Sequence, residues 1–119
     1  MILYVAGIQF VLNKIHPLVE DYIRCKYSDF LFSYPIHRHA IEVEILVEKP
    51  IEIKQLYLPR LGLSTKGNGY ILKGEEYGTD YASAEIDANF SKCNIKMKVI
   101  FWDMLDLLLS CLLYTSRCV

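Results

Sequence analysis

The sequence predicts an α+β fold: a mainly antiparallel β-sheet with a short helix after the first strand and an apolar helix at the C-terminal end. Three observations predict it. "AIEVEILVE" alternates apolar and polar positions with a period of two, the pattern of a strand with one buried face. "YASAEIDA" and "CNIKMKVI" alternate in the same way, and the link Asn89-Phe90-Ser91-Lys92 between them is short, which predicts an antiparallel hairpin. "PLVEDYIRC" and "FWDMLDLLL" space their apolar residues at helical intervals instead.

Taken in order, "MILYVAGIQFVL" is rich in β-branched and aromatic residues and is punctuated by Gly7. Ile2, Tyr4, Ile8 and Phe10 fall on one face, with Leu3, Val5 and Val11 on the other, which predicts one strand buried on both sides and bent or bulged at Gly7. A helix then runs to about Tyr27. Pro17 suits its first turn, Glu20 and Asp21 complement the dipole, and Leu18, Tyr22 and Cys25 recur at helical spacing with Ile23 and Tyr27 beside them. Pro35 ends regular structure there.

In "AIEVEILVEKP", Ile41, Val43, Ile45 and Val47 form the buried face and Pro50 stops the strand. "IEIKQLYLP" predicts a further short strand. "LGLSTKGNGYILKGEEYGTD" holds most of the glycines, with Asn68-Gly69 as a turn dipeptide. In the final hairpin Ala82, Ala84, Ile86 and Ala88 face away from Ser83, Glu85 and Asp87, while Cys93, Ile95, Met97 and Val99 face away from Asn94, Lys96 and Lys98. That arrangement brings lysines near Glu85 and Asp87. The closing helix carries Phe101, Leu105, Leu108 and Leu109 on its apolar side.

The last nine residues, "CLLYTSRCV", supply no cap, stop or charge pattern. One permitted back-translation, CTCTTATACACATCT followed by its reverse complement AGATGTGTATAAGAG, resembles two sequencing-library transposon ends joined head to head. Residues 111–119 are therefore expected to be a non-native adapter tail on a truncated reading frame, and residues 1–110 a single α+β domain. Without that tail the four cysteines become two, Cys25 and Cys93. The 13 basic residues become 12 against 14 acidic, a net charge of −2. Two distant cysteines give no zinc spacing and no disulfide framework, so a reducing, cytoplasmic setting is expected. A near-neutral charge without basic clusters argues against nucleic acid. The opening lacks the positive flank and cleavage site of a signal peptide, and no apolar run approaches the ~20 residues of a membrane span.

No catalytic signature stands out. His37 and His39 in "IHRHA" would share a strand face, yet a metal needs further ligands, which His16 or Cys25 could supply only through tertiary contact. An exposed polar lead-in to the strand is the simpler reading. Glu85 and Asp87 lie about 7 Å apart along a strand, a spacing compatible with paired-carboxylate hydrolysis and equally with any solvated face. "STKGNGY" has the ingredients of a phosphate loop in the wrong order, since Lys66 precedes Gly67 and a strand follows, so a hairpin turn is predicted. Tyr57, Tyr70, Tyr77 and Tyr81 could stack a ligand, but with few basic neighbours they read as strand packing. Catalytic, cofactor and metal residues are accordingly assigned to none.

"YVAGIQFVL", then "YSDFLF", then "AIEVEILVE" resembles the N-terminal region of HPr kinase-like P-loop proteins, bacterial proteins related in their nucleotide-binding part to the phosphoenolpyruvate carboxykinase fold. Tyr4, Ala6, Gly7, Ile8 and Phe10 match the opening pattern of that region, and "CNIKMKVIFWDMLDLLL" matches its closing hairpin and apolar helix. The resemblance implies a non-catalytic accessory domain of an ATP-dependent kinase, whose P-loop domain would follow as its partner. It transfers no functional residue, because none of the matched positions holds one. A complete small α+β binding module without enzymatic activity is the alternative. Weak self-association through Phe101, Leu105, Leu108 and Leu109 is expected if a neighbouring domain is missing.

Overall fold

The computed structural model describes residues 1–5, 7–33, 40–49, 51–53, 55, 57, 60–100, 102–103, 105–106 and 109–110. Among them are eight strands and one α-helix: β1 (Ile2–Val5), β2 (Ile8–Ile15), α1 (Pro17–Lys26), β3 (Leu31–Phe32), β4 (Ile41–Val47), β5 (Arg60–Lys66), β6 (Gly69–Glu76), β7 (Thr79–Ile86) and β8 (Lys92–Met97). A 3-10 turn at Ser28–Phe30 follows the helix. The strands make one sheet in the order β3-β1-β2-β4-β8-β7-β6-β5.

This overturns the predicted α+β class. The sheet is mixed: β4 lies parallel to both β2 and β8, and the remaining pairs are antiparallel. Alternation fixes which face a strand buries but carries no information on neighbour direction. The glycine-rich stretch, where a hairpin turn followed by a strand was expected, contributes two long strands, β5 and β6. The apolar C-terminal helix is not among the elements. Helical backbone is described only at 102–103, 105–106 and 109–110, and Phe101 and Leu108 lie outside the described residues.

The first strand divides in two. Gly7, at φ +84°, sits in a tight turn joining β1 to β2, and Val5 pairs with Ile8. Leu3 and Phe10 are cross-strand partners and both are buried. The chain folds back on itself where a single bent strand was expected, because a left-handed glycine flanked by apolar runs closes a hairpin as readily as it bulges a strand. Farther along β2, Lys14 at φ +50° is the extra residue of a bulge where the register against β4 shifts.

Parallel β2 and β4 need a crossover, and α1, the 3-10 turn and β3 provide it. Pro17 occupies the first turn of α1, and the His16 side chain caps it by accepting a hydrogen bond from the Leu18 N–H at 3.2 Å. The buried stripe of α1 is Val19 and Ile23, both fully inaccessible. Of the expected apolar positions Ile23 is buried and Tyr22 and Tyr27 pack against the core, but Leu18 and Cys25 are exposed. A stripe of only two residues on a ten-residue helix leaves periodicity too little contrast to fix the phase.

β4 and β8 behave as predicted. Ile41, Val43, Ile45, Cys93, Ile95 and Met97 are all at most 1% exposed, and Ala82, Ala84 and Ile86 of β7 join them. Ala88 lies past the strand end and is exposed. The segment 51–59 gives no strand among its described residues, only an isolated parallel bridge between Ile53 and Ile100.

Candidate functional site

The covered face of the sheet holds an apolar recess of about 270 Å³. Leu3 and Val5 of β1 and Phe10 and Leu12 of β2 form its floor. Tyr27 and Phe30 form one wall, and Leu109 with Ser110 forms the other. Its position follows from local structure. α1 ends at Lys26 and the 3-10 turn that follows packs beside β1, which brings Tyr27 and Phe30 to the recess.

A polar cluster borders this recess. The Asp106 carboxylate accepts hydrogen bonds from the Tyr22 hydroxyl at 2.7 Å and the Tyr27 hydroxyl at 2.8 Å, and the Lys26 ammonium is paired with it. Lys26 also donates to the Tyr22 hydroxyl at 3.2 Å. The Tyr22 ring stacks on Trp102 with centroids 4.4 Å apart. Burial and then the bond to Asp106 raise the Tyr22 phenol above its ordinary value. The same two causes act in the same order on Tyr27. Lys26 is raised chiefly by its bond to Asp106. These are the shifts of groups held in their protonated forms around one carboxylate. The cluster fixes the segment around residue 106 against α1, and it holds no nucleophile poised next to a base.

The residues singled out in the sequence do not converge here. His37 and His39 lie outside the described residues. His16 is occupied as the helix cap, Cys25 is exposed, and among the described residues no three His, Cys, Asp or Glu groups could hold a metal. Glu85 and Asp87 are engaged separately. Glu85 accepts from Lys66 at 2.7 Å, which lowers its pKa, with a smaller contribution from Lys96. Asp87 closes the β7–β8 turn, accepting from the Ser91 N–H at 2.7 Å, the Lys92 N–H at 3.1 Å and the Ser91 hydroxyl. Burial pushes the Asp87 carboxyl up, but these bonds outweigh it and the net shift is downward. Both carboxylates line one recess beside the β5–β6 turn, each held there by its own partners.

Lys66 and Gly69 pair across the β5–β6 turn, so its centre is Gly67-Asn68, one residue earlier than expected. Gly67 has φ +60° and Asn68 has no positive φ, the type II′ arrangement. The tyrosines form no platform. Tyr57 and Tyr77 are about four-fifths exposed, Tyr70 packs on Phe90 at 5.5 Å, and Tyr81 is half-buried against the core. Cys93 is fully buried, and burial, with the Asp87 charge, pushes its thiol up to about 12. It is an inert core residue. The signal missed in the sequence was Asp106: nothing local links it to Tyr22 and Tyr27, some eighty positions away.

Comparison of the chain with family profiles, curated proteins and solved structures yields no match. Among the described residues no helix is long and apolar enough to cross a membrane.

Proposed function

We propose that this chain is a non-catalytic accessory domain, the leading part of a bacterial, cytoplasmic, HPr kinase-like ATP-dependent kinase. One observation carries the reading. The apolar recess between the β1–β2 hairpin and Leu109 has an almost wholly apolar lining, and Phe30 in its wall is 41% exposed. Apolar side chains of a following P-loop domain would cover such a surface. Leu105 is fully buried, so it has no surface to offer to self-association, and any such contact would fall to the neighbouring residues.

The test is the uninterrupted gene. An in-frame GxxxxGK[ST] downstream of Leu109, together with loss of solvent exposure at Phe30 in the full-length protein, supports the reading. A reading frame without a P-loop sinks it. The open β5 edge favours the second reading, a small binding module with no chemistry of its own.

A further inference from the structure

β5 ends the sheet, and its backbone phase can be read from the turn beside it. A two-residue hairpin closes on a hydrogen-bonded pair, here Lys66 with Gly69. Bonded and non-bonded pairs then alternate. Arg60, Gly62, Ser64 and Lys66 therefore spend their backbone groups on β6. Leu61, Leu63 and Thr65 aim theirs away from the sheet, and among the described residues no backbone hydrogen bond reaches them. Six of the seven β5 residues are exposed, and Leu63 is 57% exposed.

Charge decides what fits this edge. Arg60 and Lys66 sit at its two ends on the same outer face, and β5 carries no acidic residue. A second copy docking antiparallel about Leu63 would set Arg60 opposite Lys66 twice, and like charges directly opposite disfavour a strand pair. Lys66 already answers to Glu85, whereas Arg60 makes no ion pair among the described residues, although Glu75 is its cross-strand neighbour on β6. On the inner face Leu61 and Leu63 continue the row of Leu72 and Gly74, so a new strand would extend an apolar surface.

We propose that β5 is a docking edge for an extended segment of a partner protein, added antiparallel, with acidic residues flanking alternating apolar ones. The inference rests on the ladder geometry and holds under either functional reading.

The probe is a blocked peptide, acetyl-Glu-Val-Thr-Val-Thr-Val-Glu-amide, against the same peptide with lysine at both ends. Amide exchange is followed by NMR on the whole chain. The expected result is that the acidic peptide slows exchange at Leu61, Leu63 and Thr65 about tenfold, leaves Gly62 and Ser64 unchanged, and that the lysine peptide does neither. Arg60→Glu should reverse this preference. Leu63→Pro should abolish protection, since an edge strand accepts proline at an outward N–H. If that variant misfolds, the Arg60→Glu result stands alone as the test. Unchanged exchange at the three amides, equal action of both peptides, or protection that rises with protein concentration in the absence of peptide would each overturn the proposal. The last of these would identify a second copy as the occupant.

Discussion

The two halves of the sheet are held by different forces. From β1 to β7 the inward side chains pack in one core with Val19 and Ile23 of α1 and with Leu105, and the central ones are sealed: Val43, Ile45, Cys93 and Met97 have no accessible surface. From β6 to β5 the sheet runs out beyond that cover, so that Leu72 is buried while its partner Leu63 is mostly exposed. Hydrophobic burial dominates the first half. In the second, the backbone ladder, two tight turns and a few ion pairs do most of the holding. A substitution should therefore be costly where it changes a buried side chain, throughout the covered half and at Leu72 in the arm, and elsewhere in the arm when it changes the backbone.

The largest expected effect follows from the first half of that rule. Val43→Asp places an unpaired carboxylate between two parallel strands, where burial without a partner costs several kcal/mol, and should unfold the domain. Glu44, on the opposite face, is partly exposed with only a 4.0 Å contact to Lys14. Glu44→Ala should change stability by less than about 0.5 kcal/mol. Circular dichroism and urea titration of the pair read this directly, and equal destabilisation would show that the two faces of β4 are not distinguished as described.

That contrast also marks how far the sequence could be read. The faces of β4, β7 and β8 were legible because a strand has a period of two and each of these buries one side only. Their order was not, because pairing is set by tertiary contacts of residues far apart in the chain. The opening hairpin was read as one strand, since Gly7 permits a bulge or a turn and only the pairing of Leu3 with Phe10 decides. The turn at Tyr77-Gly78 went unread for a similar reason. Tyr77 takes φ +50°, a conformation in which a bulky residue is uncommon. Of the region around the recess, the apolar residues of the first twelve positions were recognised as core, but the Asp106 cluster joins elements that nothing local connects.

The next effect lies where the covered half is pinned. Asp106→Ala leaves two phenols and an ammonium without their shared acceptor, for a loss of about 1–3 kcal/mol. Urea denaturation followed by Trp102 fluorescence should show it. The same cluster predicts a pH dependence. The Tyr22 and Tyr27 phenols are raised in the folded state, so the folded chain holds these protons more tightly than the unfolded one. Their contribution is fully present below the ordinary tyrosine value of about 10 and is lost as pH rises through the folded values. Wild type should lose stability above that pH, and the double variant Tyr22→Phe, Tyr27→Phe should lose less. Parallel alkaline curves for the two proteins would show that the cluster carries no such linkage.

In the arm, the backbone-sensitive site is Gly69. A Cβ there would stand 2.3 Å from the Ile86 carbonyl oxygen, too close for any rotamer to relieve, since the obstacle is main chain. Gly69→Ala must push β6 away from β7 and should cost about 1–3 kcal/mol. Glycine at 62, by contrast, has open space around its Cβ position. Gly62→Ala, in the middle of an exposed strand, should be neutral to slightly stabilising, because it removes freedom from the unfolded chain and meets nothing in the folded one. Thermal unfolding of the two variants tests the claim that the arm responds to backbone geometry. Similar losses for both would mean that strand propensity, not the approach to Ile86, governs this region.

The smallest effect is the most diagnostic of the arm's outer edge. Leu63 keeps more than half of its surface in water, so truncating it removes little buried area. Leu63→Ser should change stability by no more than about 0.5 kcal/mol, whereas Leu72→Ala, at the buried partner position, should cost about 2–5 kcal/mol. The two residues face each other across β5 and β6 on the same side of the sheet, so a difference between them reports how far each is buried, Leu63 on the edge strand and Leu72 between two neighbours. A large loss at Leu63 in urea titration would mean that this edge is covered in solution, by the chain itself or by another copy. Sedimentation of the same variant across a concentration series then separates those two, because only cover by another copy weakens on dilution.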